Sequence, residues 1–565
     1  MKKKIIVIGV LLLFVVTVIG VSYAAFSYSQ TGAYENTITT GEISMSYDET
    51  SKVINMNGAL PTTDETGKAS LVEGEYFDFS VTTHIVGDTN INWEISAKAL
   101  DSNTFDGSNV RLYLTKIVDG EEIPVSYPAN YYEETTADNF TGRPAGEMSL
   151  LVGTTSQQGD VTTNYRLRMW VDEDYNPQGD TAGKTFAVEV NVYGKTSSSN
   201  EIFVATALLN DSQNGIDTSD SSQTFITGEN PNNYIWYSGK LWRAVSIDPV
   251  DNTVKIITQW NIKNQGINGV LESLRNYEHY IKMDSTWYRS GLENNRPVNH
   301  YVTDSIGQLN QTEFEHSYLN ATSSTGYLVN NLNWTLSIAA GPYPYYVHTD
   351  GTISYAPGNA DYGGGRPAVN LKSTIKVVAG SGTEKDPYRL EGDNDQDVSG
   401  ELLNTRYSGE YVRFGTGENN LYRIVSINNN KVKLTSAVPL KNSGSYLSMN
   451  YNETLSFIGE NYLNTGNGYL TTVQLNMMDG SVSLLASGEL MSGQFDISTN
   501  NVGYWTSSAG LSSGQIVVSA TGSSGTYYGA SISSSYGIKP AFYLKDTVKI
   551  VSGTGTKDQP FEITI

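Results

Sequence analysis

Cysteine is absent from all 565 residues, which excludes disulfides, thiol catalysis and cysteine-ligated metal centres. Histidine is nearly as scarce, at five. His84, His279, His300, His316 and His348 form no H-E-x-x-H and no pair at i, i+4, so the helix-borne zinc site of a metalloprotease is not encoded. Cations are few: 36 Lys and Arg stand against 59 Asp and Glu, a net charge of -23. Binding to phosphate backbones needs clustered cations, and nucleic acid is therefore excluded as a partner. Acidity of this size keeps an exported protein soluble. Helix-period patterns are also scarce beyond the first 20 residues.

What is present favours strands. Tyr is abundant (38), and the polar remainder is largely Ser, Thr, Asn and Gly, a composition of short strands and turns. The length exceeds what one hydrophobic core supports, so about three domains are expected. At the N-terminus, Lys2, Lys3 and Lys4 precede the apolar run Ile5 to Val21, and small residues follow at Ser22, Ala24 and Ala25. Residues 1–25 therefore read as a secretory signal cut near Ala24, Ala25 and Phe26, or retained as an N-terminal membrane anchor. Export without cysteine predicts a protein secreted to the cell surface of a Gram-positive bacterium, meeting the membrane only through this segment.

Apolar residues then recur at every second position: Ile43, Met45, Tyr47; Phe77, Phe79, Val81; Ile91, Trp93, Ile95, Ala97; Val110, Leu112, Leu114; Tyr165, Leu167, Met169, Val171; Phe186, Val188, Val190, Val192. Period two buries one face of a strand and wets the other, so residues 26–198 are expected to form one antiparallel β-sandwich or jelly roll. The stretch YAAFSYSQTGAYENTITTGEISMSYDE (Tyr23 to Glu49) and the strand KTFAVEVNVYG (Lys184 to Gly194) resemble the TasA and camelysin family of secreted, matrix-forming proteins. That resemblance implies a jelly roll able to self-assemble when the N-terminal segment completes a neighbour's sheet, since an unpaired edge strand templates another.

The remainder is a tandem duplication. RPAVNLKSTIKVVAGSGTEKDPYRL (Arg366 to Leu390) and KPAFYLKDTVKIVSGTGTKDQPFEI (Lys539 to Ile563) agree at 11 of 25 positions. Upstream, LWRAVSI matches LYRIVSI, and NWTLS (Asn333 to Ser337) matches YWTSS (Tyr504 to Ser508). Copies of this length are globules in tandem rather than solenoid units. Residues 226–390 and 406–565 are the two modules, with linkers at 199–225 and 391–405. Shared glycine turns and prolines mark a shared scaffold. The order of these features resembles bacterial surface modules of the C-type-lectin-like fold, which formylglycine-generating enzymes also use. The resemblance implies tandem α+β modules, giving a mostly β protein as a whole, with a display surface between W-T-x-S and the closing Arg/Lys-Pro.

The candidate ligand-binding residues are Trp334, Tyr343, Tyr345, Tyr346, His348, Tyr355, Tyr362 and Arg366 in the first copy, and Tyr504, Trp505, Tyr527, Tyr528, Tyr536 and Lys539 in the second. Tyrosine beside Gly and Ser offers a flat apolar face and a hydroxyl at low entropic cost. Tyr also fills strands, and the two Trp also read as core. No catalytic set emerges: the second copy has no His, no G-x-S-x-G is supported, and Glu313 and Glu315 sit among polar residues. DNDQDVSGE (Asp393 to Glu401) has Val398 where a calcium loop needs Gly, and DEDYNPQGD (Asp172 to Asp180) reads as an exposed loop. The expectation is a non-catalytic, adhesin-like protein without metal or cofactor, binding an extracellular glycan or surface protein. The alternative is a structural fibre subunit of a biofilm matrix.

Overall fold

The computed structural model describes residues 40–47, 53–57, 60–71, 76–86, 89–138, 140–176, 184–197, 202–261, 270, 274, 277–283, 292–293, 296–297, 305–318, 326–329, 333–338, 344–348, 350–355, 365–391, 398–486, 489, 502–510, 514–518 and 527–565. It is predominantly β-strand, with several sheets and few, short helices. The chain divides into two compact units, one up to Phe203 and one comprising nearly all residues from Val204. Ala24, Ala25 and Phe26 lie outside the described residues. Among the described residues no helix is long and apolar enough to cross a membrane.

In the first unit two antiparallel sheets share one core. One sheet runs Thr40–Tyr47, Tyr76–Val86, Gly159–Asp172, Val110–Val118, Glu121–Pro124 in spatial order; the other runs Val53–Asn57, Thr185–Ser197, Asn90–Ala99, Met148–Thr155. Inward side chains of both meet in a single cluster, Phe79, Leu114 and Leu167 from the first with Ile95, Val188 and Val192 from the second. Each such burial contributes roughly 1.5–3 kcal/mol before entropy is counted. Tyr76–Val86 alternates as its sequence predicts, with Phe77, Phe79, Val81 and Ile85 buried. Asn90–Ala99 does not, because Asn92, Glu94 and Ser96 on its other face are buried too. The chain at 141–147 meets Glu94 and Ser96 on that face, while Thr154 Oγ1 donates to Asn92 Oδ1 at 2.7 Å. Arg143 Nε donates to Glu94 Oε1 at 2.7 Å, Thr141 Oγ1 donates to Glu94 Oε2 at 2.6 Å, and Ser96 Oγ donates to Glu147. Burial pushes the Glu94 carboxyl up, and Arg143 opposes it. The outermost strand of the first sheet, Glu121–Pro124, is exposed; Glu122 turns back to pair with Arg166 and Arg168, and Glu121 and the proline disfavour pairing with another chain.

The second unit contains both copies on one plan. In the first, strands Tyr234–Tyr237, Lys240–Ile247, Val254–Thr258, Ala368–Leu371 and Ile306–Gly307 lie side by side; in the second, Tyr411–Arg413, Leu421–Asn428, Lys431–Ser436, Pro540–Leu544 and Met478–Leu484 do. Equivalent irregularities repeat: the register shifts between Ala244 and Ser246 and between Ile424 and Ser426. The chain closes in parallel beside the first of these strands, Tyr388 on Ile235 and Phe561 on Val412. Here lies the physical reason for the duplicated closing stretch. Gly380 and Gly553 have φ of +88° and +98°, and a Cβ would lie 2.0 and 2.2 Å from the carbonyl oxygens of Pro387 and Pro560. Only glycine fits such a turn.

Within 199–225, Val204–Asn210 is helical and buries Val204, Ala205, Ala207 and Leu208. Gly215–Asp217 pairs with Thr224–Thr227, which in turn pairs with Lys240–Ile247. The stretch that reads as a connector thus adds strands to the first copy's sheet, and every residue of Lys240–Ile247 is buried.

The two copies also pack on each other. The hairpin turn Ser238–Gly239 abuts Ser408–Gly409, where a Cβ on Gly409 would fall 2.3 Å from the Gly239 carbonyl oxygen. Lys240 Nζ, buried at 2% exposure, donates to the Ser408 carbonyl at 2.8 Å. Burial and the neighbouring Arg423 bring its pKa down to about 8, against the pull of Glu410. Glu410 is itself buried and paired to Arg406 at 2.7 Å. Trp236, Leu241 and Trp260 of the first copy join Tyr411 and Ala437 of the second in one apolar cluster.

Candidate ligand-binding surface

The motif W-T-x-S opens a small three-stranded sheet in each copy: Asn333–Ile338, Pro344–Val347, Ile353–Tyr355 and Tyr504–Ala509, Gln515–Val518, Tyr527–Ala530. Both first strands carry the same register shift, between Trp334 and Ile338 and between Trp505 and Ala509. Thr335 Oγ1 donates to the Tyr345 carbonyl at 3.1 Å and Thr506 Oγ1 to the Ile516 carbonyl at 2.7 Å. The threonine is repeated because it pins the bulged strand to its neighbour.

On this frame the first copy groups aromatic side chains. Tyr345 lies opposite Tyr355 in the register, their rings edge to face at 6.0 Å, and Tyr355 is 62% exposed. Tyr346 pairs with Ser354 and so stands on the other face, its ring 4.8 Å from that of His348. His348 Nε2 is 3.1 Å from Ser354 Oγ, which fixes the imidazole. Four of the expected residues therefore meet in one small sheet, as two pairs on opposite faces. Tyr343 and Tyr362 lie outside the described residues, and so does the side chain of Trp334.

Several other candidates sit inside the fold. Arg366 is 1% exposed; its Nε donates to the Thr258 carbonyl and its Nη1 to the Leu328 carbonyl, both at 2.7 Å. Burial, with Arg243 close by, lowers its pKa to about 9. In the second copy Lys539 Nζ donates to the Ala437 carbonyl at 3.1 Å and lies 4.9 Å from the ring of buried Tyr504. Arg366 and Lys539 thus tie equivalent ends of the closing strand to the sheet. Trp505 is 1% exposed, donates to the Met449 carbonyl at 2.8 Å, and packs between Tyr451 and half-buried Tyr536. Tyr527 and Tyr528 lie opposite Val518 and Val517, and their side chains are outside what is described.

The two sheets differ where they face outward. Superposing the registers puts Ile516 and Gly529 where the first copy has Tyr345 and Tyr355. A flat, hydroxyl-bearing aromatic pair is thus present in one copy and replaced in the other. Among the described residues no three His, Asp or Glu side chains gather as a metal site requires. No protein-family model matches the sequence, and no curated protein matches it.

Proposed function

We propose that this chain is a secreted, non-catalytic protein of the bacterial surface or extracellular matrix, whose two C-terminal repeats are lectin-like modules that bind an extracellular glycan or surface protein. The N-terminal unit, in this reading, is a TasA-like jelly roll that tethers or assembles. The observation that carries it is the divergence just described. Residues shared by the copies, such as Thr335 and Thr506, tie strands together, whereas the exposed Tyr345–Tyr355 pair is unique to the first copy. A scaffold kept while its outer positions change is the pattern of a recognition module. Rigid aromatics contribute contact area at small entropic cost.

The test is a screen of the exported chain against arrays of glycans and purified surface proteins, followed by Tyr345→Ala and Tyr355→Ala. Binding weakened roughly tenfold or more by either change is expected. Ligands held as tightly by both variants as by the parent would refute the reading.

A fibre subunit is the second reading, and one observation favours it. Thr40–Tyr47 is the edge strand of its sheet, paired only to Tyr76–Val86 among the described residues, and such a strand can be exchanged between chains. Electron microscopy of the chain starting at Phe26 beside one starting at Ser51 tests it. Filaments from the longer chain alone support exchange; monomers from both rule it out.

A further inference from the structure

We propose that the second copy carries a separate cleft for a neutral saccharide, built by a turn three residues longer than its counterpart in the first copy. Between the paired residues Trp236 and Leu241 the first copy has four residues; between their equivalents Arg413 and Leu421 the second has seven, with a helical turn at Gly417–Asn419. The longer turn forms one wall of an open cleft of about 410 Å3. That volume falls within the roughly 300–1,000 Å3 of small-molecule sites. The strand start at Lys441–Asn442 forms a second wall, and residues between Phe457 and Tyr469 form the third.

Side chains lock these walls together before any ligand arrives. Asn419 Oδ1 accepts the Lys441 backbone N–H at 2.7 Å while its Nδ2 donates to the Lys441 carbonyl at 2.9 Å. Thr416 Oγ1 donates to the Gly468 carbonyl, and Asn467 Nδ2 donates to the Asn461 carbonyl at 2.9 Å. A site held this way loses little entropy on binding. The third wall includes a π-turn, Phe457–Asn461, an irregularity concentrated at functional positions.

The lining selects the ligand. One anion and one cation are present, and each is engaged: Glu418 Oε1 accepts the Gly444 N–H at 3.1 Å, and Lys441 Nζ lies 4.7 Å from the Tyr446 ring. The exposed carboxamides of Asn442, whose Oδ1 accepts from Ser443 Oγ at 3.2 Å, and of Asn461 complete the lining, and a carboxamide both donates and accepts. Below them Phe457 and Tyr469 meet edge to face at 5.4 Å. Paired donors and acceptors without net charge, above an apolar floor, match a ring with hydroxyls on its rim and C–H bonds on its face. An acidic polymer would meet no cationic excess here and a chain of net charge -23. This inference does not rest on the tyrosine sheet, whose residues lie elsewhere in the sequence.

Isothermal titration calorimetry of the full chain with tetramers of glucose and of N-acetylglucosamine, and with glucuronate tetramers as the charged comparison, tests it. A neutral tetramer is expected to bind. Asn461→Trp, which fills the cleft from an exposed position, should weaken binding roughly tenfold or more, and Asn461→Ala should weaken it at an unchanged melting midpoint. Lys98→Ala, at an exposed position of the first unit, should leave it unaltered. No heat from either neutral tetramer, tighter binding of glucuronate, or an affinity equal to the parent's in both Asn461 variants would overturn the proposal.

Discussion

The two copies have the same frame and use one turn of it differently. Tyr234 lies under Arg243 at 3.6 Å, as Tyr411 lies under Arg423 at 4.6 Å, and the bulges and glycine turns coincide. At the first hairpin they part. Ser238–Gly239 is short enough to press its backbone against Ser408–Gly409, so the first copy's turn serves to dock its twin. The second copy's longer turn lines a cleft instead. The strand that follows differs at its far end for another reason: Thr224–Thr227 pairs with Ser246 and Ile247, whereas the equivalent Ser426 and Ile427 are half-buried. One frame thus carries two turns, of which the shorter packs on the other copy.

The largest effect is expected at the junction's charges. Glu410→Gln removes the carboxylate that offsets buried Arg406 and Lys240, and breaking such a pair costs about 3–5 kcal/mol. Glu418→Gln, at the lip of the cleft, should stay within about 0.5 kcal/mol. Urea unfolding of both variants checks the contrast, and similar losses would mean that the turns are not specialised. Gly409→Ala comes next: the added methyl meets the Gly239 carbonyl and should cost about 1–3 kcal/mol. Gly417→Ala, where nothing lies within 4 Å, is left with only the strain of its φ of +53°, about 1 kcal/mol. Equal midpoints for these two would remove the docking contact from the account.

Much of this frame was legible and its most specific parts were not. Alternation placed Phe77, Phe79 and Val81 inward because period two is a local property of strands. The duplication was legible as identity at glycines and prolines. The buried outer face at Glu94 and Ser96 was not, since its cover comes from Thr141–Glu147, some 50 residues away, and is polar. Residues 199–225 read as a connector because Asp, Ser and Asn dominate; Val204, Ala205, Ala207 and Leu208 were too short an apolar patch to announce a helix. Arg366 and Lys539 read as binding residues from their place at the close of the stretch after W-T-x-S, yet backbone carbonyls hold them inside. The junction left the weakest signal. Ser238, Gly239 and Lys240 spell an ordinary solvent-facing turn, and only three dimensions bring Gly409 against it. The one available sign of the cleft was GTGENN (Gly415 to Asn420), six residues where the first copy has the three of SGK (Ser238 to Lys240).

A smaller effect sharpens the comparison through pH. Lys240 has its folded pKa lowered to about 8 by burial, below the roughly 10.4 of a free lysine. Below pH 8 both folded and unfolded chains carry the proton, and the cost of burying the charge is present in full. As pH climbs from 8 toward 10.4 the folded chain sheds that proton first, so the unfolded state binds more protons and stability rises. Tyrosines titrate near the upper end of this window, so the informative quantity is the difference between the parent and Lys240→Met across the same range. The parent should gain stability relative to the variant between pH 8 and 10. Parallel curves would mean that water reaches the Lys240 ammonium, and with it that the first copy's turn is not sealed against the second.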